Sequence, residues 1–355
     1  MEDSIFDYIT AQAQAAYWNS YLAEQTEAPF LGEELFPDKK QTHLKMSYIK
    51  GANGLAKVAP LSAFDAKVLR KNRIGFEKQE TEMPYFKLAM GIDEELRQEL
   101  LMAEAAGEQY YQEVLRRIFD DNINLLKDMA VARERMRMQL LTTGAIVMGN
   151  NGQSYKYDYE LEDEVQKQVA DTPWNEPEAD IIGDIIKWQD AIEAKTGVRP
   201  TRMVMRRAQF RNLLNNDYIK NTLYAMNVAV NGKVNITENA VKTLLNDQAK
   251  ISSIAIYDKM YVDEEGKTQY FIPEDLVIFL PEGTIGNTVF GTTPEEADLR
   301  ASKTADVSLV DTGVAIATYM ENDPVRKDTK TSQICLPSGE NIDKIIIAQV
   351  LGKAD

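Results

Sequence analysis

Residues 108–143, EQYYQEVLRRIFDDNINLLKDMAVARERMRMQLLTT, form the stretch that decides the fold. Apolar or small side chains recur at steps of three and four, with one turn skipped at Asp121 and Asn122. They are Tyr110, Val114, Ile118, Leu125, Met129, Ala132, Met136 and Leu140. This spacing predicts a single apolar stripe along an α-helix that ends at Gly144. At about 1.5 Å per residue the helix is roughly 50 Å long, so we predict a spine for other elements to pack on.

The overall composition is that of a globular protein with more than one domain. The chain has 355 residues, of which 44% are hydrophobic and 27% charged. Its longest apolar runs, such as 276–280 and 345–348, have the length of strands, so no membrane segment is predicted. The first residues, MEDSIFDYIT, are acidic where a signal peptide is basic. Cys335 is the only cysteine, which excludes an intrachain disulfide and favours folding in a reducing cytoplasm.

The net charge of the chain limits the ways in which it can interact with nucleic acid. Its net charge is −16 and its pI is near 4.7. A sequence-tolerant nucleic-acid binder needs a basic surface to displace counterions, so this class is disfavoured. A container with an acidic lining is not disfavoured, because it would repel its cargo and leave it free to move.

The segment before the spine is predicted to be an arm. Residues 3–24 have the pattern of a short amphipathic helix, and residues 30–37 lack a helical period and carry prolines that favour extended backbone. The arm is rich in aromatic residues, which need a surface to bury them: Phe6, Tyr8, Tyr17, Trp18 and Tyr21. Packing on the arm's own domain and packing on a neighbouring subunit are both open.

Residues 44–88 are predicted to form a long two-stranded projection. Strand patterns at 44–50 and 74–79 flank the turn Gly51-Ala52-Asn53-Gly54. The segment is poor in large apolar residues and rich in charged ones, including Lys67, Arg70, Lys71, Arg73, Glu77, Glu80 and Glu82. Because a bare hairpin is only marginally stable in water, we expect this projection to lean on another chain.

The rest of the chain predicts α+β structure with helices that cover a sheet. A strand at 84–90 and a helix at 92–106 precede the spine, and a hairpin at 145–159 follows it. Residues 161–177 are polar and irregular, and a second domain is predicted to begin near them. Further helices are predicted at 181–196, 209–214, 216–225 and 237–246. Further strands are predicted at 202–205, 254–257, 260–262, 270–272, 276–280, 306–309, 314–320, 331–336 and 344–350.

No pattern of residues in the sequence indicates a catalytic site, a cofactor site or a metal site. His43 is the only histidine, which excludes multi-histidine metal sites and makes serine–histidine or cysteine–histidine catalysis improbable. It is interpreted as a structural or surface histidine, and Cys335 as a small buried residue of a strand. Residues 51–57 have the wrong glycine spacing for a phosphate-binding loop. Residues 263–266 lack the last carboxylate of a calcium loop and predict a turn. The sequence therefore predicts no catalytic, cofactor-binding or metal-binding residue, and no enzyme.

Several short motifs, in order along nearly the whole chain, resemble the phage lambda major capsid protein E family. Before the spine helix lies Leu31-Gly32-Glu33-Glu34-Leu35-Phe36-Pro37, and the spine ends in Thr143-Gly144. After it come Trp174, Asp180-Ile181-Ile182, Trp188, Thr196-Gly197 and Val204-Met205. The last motifs are Gly283-Thr284-Ile285-Gly286, Phe290-Gly291-Thr292-Thr293-Pro294-Glu295, Asp323-Pro324 and Leu336-Pro337. Each is weak alone, but their order is fairly specific.

The resemblance implies the Hong Kong 97-type capsid fold, an α+β fold with four parts. Residues 1–43 would be the N-arm, and residues 44–88 the extended loop that reaches over a neighbour. Residues 89–159 with 306–336 would be the peripheral domain, built on the spine helix 108–143. Residues 160–305 with 337–355 would be the axial domain, whose loops meet at the centre of a capsomer.

The function that this resemblance implies is that of a major capsid protein. Such a chain self-assembles through hexamers and pentamers into an icosahedral head that encloses double-stranded DNA, without sequence-specific binding and without a membrane. It would be a virion protein assembled in the bacterial host cytoplasm. Because this sequence shows no long N-terminal scaffolding segment, we expect a separate scaffolding protein, together with a portal and, as an option, a decoration protein. The alternatives are an encapsulin-type shell around a protein cargo and, in a third class, an enzyme with a two-domain cleft.

Overall fold

The computed structural model describes residues 9–24, 28–50, 77–92, 94–150, 153–226, 236–300, 305–323 and 325–352. Its helices are α1 (Ala11–Glu24), α2 (Leu31–Leu35), α3 (Glu94–Ala106), α4 (Glu108–Thr143), α5 (Asp163–Gln166), α6 (Ile181–Thr196), α7 (Arg207–Asn215), α8 (Asp217–Met226) and α9 (Glu238–Ala249). Its first strands are β1 (Asp38–Lys40), β2 (Lys45–Lys50), β3 (Glu77–Glu82), β4 (Tyr85–Ile92), β5 (Ala145–Asn150), β6 (Gln153–Asp158), β7 (Lys167–Val169) and β8 (Arg202–Met205). The later strands are β9 (Ser253–Ile256), β10 (Met260–Val262), β11 (Thr268–Tyr270), β12 (Leu276–Leu280), β13 (Thr288–Phe290), β14 (Asp306–Val310), β15 (Val314–Asn322), β16 (Val325–Pro337) and β17 (Ile346–Gln349). A π-helical turn at Glu295–Leu299 and a 3-10 turn at Ile342–Lys344 complete the elements.

The larger sheet lies against the spine helix α4. Its strand order is β1-β13-β16-β15-β14, and β4 also pairs with β16. Strand β16 is the long central member: it pairs antiparallel with β15, with β4 and, at its end, with β13. The spine helix contacts both β16 and β4. The strand predicted at 331–336 is therefore confirmed, but it extends further, over Val325–Pro337, than its sequence pattern indicates.

The second sheet has five strands, in the order β7-β17-β12-β8-β9. Alternation along β12 explains how it is buried on both faces, because successive side chains of a strand point to opposite sides. Val277 and Phe279 pack into a cluster with the helices α6 to α9, which includes Trp188. Ile278 and Leu280 pack on the other side, into the core that contains the end of the spine helix.

The spine helix has the predicted bounds, Glu108–Thr143. Gly144 takes the left-handed conformation, with φ of 75°, and its N–H donates to the carbonyl of Leu140 at 3.0 Å. This is the glycine cap that the sequence predicts.

The prediction of the buried stripe is wrong at one residue. Tyr110 is 48% exposed, and its neighbour Tyr111 is buried instead. The face that meets α3 passes through Tyr111, Val114 and Ile118, which pack with Leu100 of α3. Tyr110 lies about 100° away from Tyr111 around the helix axis, which is enough to turn it toward solvent.

The arm packs on its own chain where the structure describes it. Trp18 is 4% exposed and shares a cluster with Ile123 and Leu126 of the spine and with Val314 of β15. Phe6 and Tyr8 lie outside the described residues. At Trp18, therefore, the first of the two open alternatives for the arm is confirmed.

Residues 30–37 and 161–177 are among the segments that differ from the sequence-based prediction. Residues 30–37 are predicted to be extended, but Leu31–Leu35 form a one-turn helix, which is too short to show a helical period. Residues 161–177 are predicted to be irregular, but they contain the turn Asp163–Gln166 and the edge strand Lys167–Val169, which pairs in parallel with β17. Pairing with a strand 180 residues away cannot be seen in the local pattern.

The base of the predicted projection is a two-stranded antiparallel sheet of β2 and β3. Residues 51–76, which include Lys67, Arg70, Lys71 and Arg73, lie outside the described residues. The base itself is anchored, since Met46, Tyr48 and Met83 belong to the main core. Within the part of the chain that the structure describes, no helix is long and apolar enough to cross a membrane.

Candidate functional site

A group of three charged side chains is buried in the last turns of the spine helix. Arg133, Glu134 and Arg137 are 6%, 0% and 1% exposed. Charged residues are rarely this buried unless they are paired. The role of the three residues therefore depends on which parts of the chain supply their partners. We call these three residues the spine charge cluster.

Glu134 joins three distant parts of the chain. Its Oε1 accepts hydrogen bonds from the backbone N–H of Gly32 in the arm, at 3.1 Å, and from the hydroxyl of Tyr257, which follows β9, at 2.6 Å. Its Oε2 accepts no hydrogen bond from the described residues and lies 3.6 Å from Nη1 of Arg137. Burial raises the pKa of the Glu134 carboxyl, although Tyr257 and Arg137 oppose this shift.

Arg137 holds the arm against the larger sheet. Its Nε donates to Oγ1 of Thr288 in β13 at 2.8 Å, and its Nη2 lies 3.2 Å from Oδ1 of Asp38 in β1. The Thr288 hydroxyl in turn donates to the carbonyl of Phe36 at 2.9 Å. A Cβ atom at position 32 would lie only 2.5 Å from Cδ of Arg137. The close approach of the arm to the Arg137 side chain therefore requires glycine at this position.

Arg133 connects the spine to β16 and to the turn between β14 and β15. Its Nη1 donates to Oε1 of Gln333 at 2.7 Å, and its Nη2 lies 3.5 Å from Oδ2 of Asp311. The amide of Gln333 then donates to the carbonyl of Met129 on the spine at 3.0 Å. The spine charge cluster therefore fixes the arm, the two sheets and the helix relative to one another.

A second buried carboxylate, Glu295, fastens the π-helical turn to the outer face of the larger sheet. Glu295 is 2% exposed, pairs with Lys330, and accepts hydrogen bonds from the hydroxyls of Tyr85, at 2.7 Å, and Ser332, at 2.9 Å. Burial alone would raise the pKa of Glu295, but the hydrogen bonds from Lys330, Tyr85 and Ser332 outweigh it and lower the pKa to about 2. The carboxylate is thus charged throughout the neutral range.

Several large apolar side chains remain on the surface of the single chain. They are Leu88 and Met90 of β4, Leu101 and Met102 of α3, Val169 of β7, and Met260, Val262 and Tyr270 of the β10–β11 hairpin. Met102 and Val262 are 68% and 64% exposed. The β10–β11 hairpin groups three of them, because Met260 pairs with Tyr270 and Val262 follows two residues later on the same strand. Contiguous apolar surface of this kind is typical of contact sites between proteins.

The residues that sequence reasoning weighed for chemistry lie apart from one another. His43 is exposed, and its carbonyl accepts from the Gln41 amide. Cys335 is fully buried in β16, and burial raises the pKa of its thiol to about 12. Residues 263–266 form the turn of the β10–β11 hairpin, where Oδ1 of Asp263 accepts two backbone N–H groups. No group of histidine, cysteine or carboxylate side chains suited to a metal occurs among the described residues.

Sequence reasoning missed both buried charge groups. Arg133, Glu134 and Arg137 are good helix formers that lie outside the predicted apolar stripe, so the sequence pattern assigns them no role beyond forming the helix. Their one local signal is that they fall beside the apolar stripe near the end of the helix. Their partners lie at residues 32, 38, 257, 288, 311 and 333, so spacing along the helix could not reveal them.

Comparison with solved structures finds the same fold in phage capsid proteins. A structure described as a prophage capsid protein of Escherichia coli CFT073 is 17% identical, with a TM-score of 0.61 over 96% of this chain and 99% of that chain. A phage-related protein of Bordetella bronchiseptica RB50 is 12% identical, with a TM-score of 0.54 over 96% and 98% of the two chains. The cyanophage A-1(L) capsid protein is 12% identical, with a TM-score of 0.51 over 92% and 93%. These likenesses establish the Hong Kong 97-type fold.

Comparison by sequence gives the family. No curated protein matches the chain. The family model described as phage major capsid protein E matches residues 10–350. Since this match spans nearly the whole sequence, the chain belongs to the phage major capsid protein E family.

Proposed function

We propose that this protein is the subunit from which the icosahedral head of a tailed double-stranded DNA phage or prophage is assembled, through hexamers and pentamers. The observation that carries the proposal is the family match over residues 10–350. It favours a phage head over the encapsulin-type shell, which is the alternative. The apolar side chains left on the surface support assembly, because contacts between subunits would bury them.

The proposed division into parts follows the resemblance: residues 1–43 as N-arm, 44–88 as extended loop, 89–159 with 306–336 as peripheral domain, and 160–305 with 337–355 as axial domain. The two sheets support this division, because β17 pairs with β12, while β16 pairs with both β4 and β15, and β15 pairs with β14. Strand β13 is an exception in the pairing, since it lies inside 160–305 but pairs with β16 and β1. It would tie the N-arm to the peripheral sheet.

The proposed partners include other copies of the chain, a separate scaffolding protein, a portal and, as an option, a decoration protein. The enclosed DNA is held without sequence-specific binding, which agrees with a net charge of −16. Assembly takes place in the host cytoplasm. The role is structural and not enzymatic: the buried carboxylates Glu134 and Glu295 are engaged in joining segments of the fold.

Electron microscopy of the purified full-length protein, expressed with and without the neighbouring phage genes, tests this function. We expect closed shells of uniform size, either alone or with a scaffolding protein. Shells that enclose a co-expressed enzyme would support the encapsulin alternative. A stable monomer or small oligomer under both conditions would contradict a shell function of either kind.

A further inference from the structure

A groove runs between the arm helix α1, the spine helix and the β10–β11 hairpin. Its volume is about 1010 Å³, and its lining includes Trp18, Leu22, Phe30, Lys127, Lys259 and Met260. Pockets for small molecules have volumes of roughly 300–1,000 Å³, so this groove lies at the upper end of that range. Spine residues 127–137 line one side of it, over a length of about 15 Å. An extended segment of about five or six residues has this length from its first Cα to its last, at about 3.3 Å per step.

Two lysines in the groove have no carboxylate partner among the described residues. The Nζ of Lys127 lies 4.5 Å from the ring centre of Tyr21, and the Nζ of Lys259 lies 4.5 Å from that of Phe30. Lys259 also donates to the carbonyl of Ala28. Each ammonium group thus rests on an aromatic ring, without forming an ion pair in the described chain.

The other charged residues of the lining do not neutralise Lys127 and Lys259. Arg133 pairs with Asp311, and Arg137 pairs with Asp38. Among the described residues of the lining, Glu33 is the remaining carboxylate, so these residues include two lysines without an ion-pair partner and one such acid. The groove therefore suits a segment that carries both aromatic or aliphatic side chains and carboxylates.

The chain contains one such segment outside the described residues. Residues 1–8, MEDSIFDY, combine three carboxylates with Ile5, Phe6 and Tyr8. Residues 51–76 have the opposite charge, with five lysines and arginines against one aspartate, a net charge of +4. The lysines of the groove would repel that loop.

The position of Ile9 favours a segment from a second copy over the chain's own. Ile9 is fully buried beside Val114 and Ile118, near the N-terminal end of the spine. Helix α1 then runs along the spine toward the groove, where Trp18 packs on Leu126. The chain's own residues 1–8 would have to reverse direction and run back along α1, and Trp18 lies about 13 Å beyond Ile9 at the rise of a helix. Phe6 precedes Ile9 by only three residues, which span at most about 10 Å, so the chain's own Phe6 would fall short of the groove.

We infer that the groove binds residues 2–7 of a neighbouring subunit, with Lys127 and Lys259 facing their carboxylates and Trp18, Phe30 and Met260 contacting Phe6. The inference rests on the proposed shell function. It assigns the arm two roles: residues from Ile9 onward hold the subunit together, and the residues before Ile9 tie it to the next one.

A charge-swap experiment in the full-length protein tests the pairing. The variant Lys127→Glu/Lys259→Glu should lower the yield of closed shells by about tenfold or more, because the lost contact is repeated at every subunit. Glu2→Lys/Asp3→Lys should have the same effect, although it changes no residue of the described core. Combining all four substitutions should restore shells. Lys187→Glu, at an exposed lysine that pairs with Asp171 away from the groove, is the matched control.

A crosslinking experiment decides which copy supplies the segment. In shells of the variant Ser4→Cys/Ala130→Cys, oxidation should produce a ladder of linked chains on a non-reducing gel, while Cys335 is buried and does not react. Linkage within single chains, no linkage, or normal shells from the lysine variant would overturn the groove inference and leave the shell function standing. Failure of the unmodified protein to form shells, both alone and with the neighbouring phage genes, would overturn both.

Discussion

Ile118 provides a direct test of which face of the spine helix is buried. It is 5% exposed and packs in a cluster with Ile9, Leu100, Val114 and Leu115. Replacement by alanine removes buried methyl groups and leaves a cavity, which should cost about 2–5 kcal/mol of unfolding free energy. Replacement by aspartate adds the cost of placing a carboxylate in an apolar cluster without a partner, so its effect should be several kcal/mol.

The matched control is a charge placed elsewhere on the same helix. Tyr110 is 48% exposed, so Tyr110→Asp should change the unfolding free energy by no more than about 0.5 kcal/mol. Urea denaturation of the unassembled subunit, followed by tryptophan fluorescence and by circular dichroism, measures both variants. If Ile118→Asp and Tyr110→Asp shifted the denaturation midpoint equally, or if Ile118→Asp shifted it not at all, the assignment of the buried face would be refuted.

Four further predictions concern the charged groups and the extended loop. The pKa of Glu295 is lowered from 4.5 to about 2, so the stability it contributes should be present above pH 4.5 and lost as the pH falls toward 2. Glu295→Gln should flatten this part of the stability profile. Arg137→Met removes the ion-pair partner of the buried Glu134 and should cost about 3–5 kcal/mol. Arg135→Met, at a partly exposed residue, should cost less than about 1 kcal/mol; denaturation curves compare the two. Replacing residues 54–76 by a short Gly-Ser turn should leave the subunit folded but unable to close shells, as light scattering and microscopy would show; normal shells would mean that the loop is dispensable. The unassembled subunit should bind DNA weakly at physiological salt, and tight, sequence-dependent retention in a gel-shift titration would contradict the container function.

The elements whose ends carry local signals could be predicted from the sequence. The spine helix ends where Gly144 caps it, and α6 ends at Gly197, which also takes the left-handed conformation. Asp180 and Thr237 cap the starts of α6 and α9 through their side chains. These signals act within one turn of helix, so a single sequence contains all the information that they need.

Features that depend on distant partners could not be predicted in this way. The turn Leu31–Leu35 has too few residues to show a period, and the Gly32 N–H donates to Glu134, about 100 residues further along the chain. Strand β7 exists because it adds to the edge of β17. Exposure on the spine was misjudged at Tyr110 because the apolar pattern fixes the face of a long helix only to within one residue.

The two halves of the spine helix are held by different kinds of interaction, and this difference has a structural consequence. The first half, around Ile118, packs on α3 and the start of the arm through an apolar cluster that includes Ile9, Leu100 and Val114. Such contacts are non-directional, so they bind the elements together without fixing one relative angle. The last turns carry Arg133, Glu134 and Arg137, whose hydrogen bonds are directional and reach the arm, β13, β16 and Tyr257. A buried polar network of this kind costs desolvation free energy but favours one geometry over its neighbours. In a subunit whose copies must meet at repeated angles, the end of the spine is therefore the place where the angle between the arm and the two sheets is set.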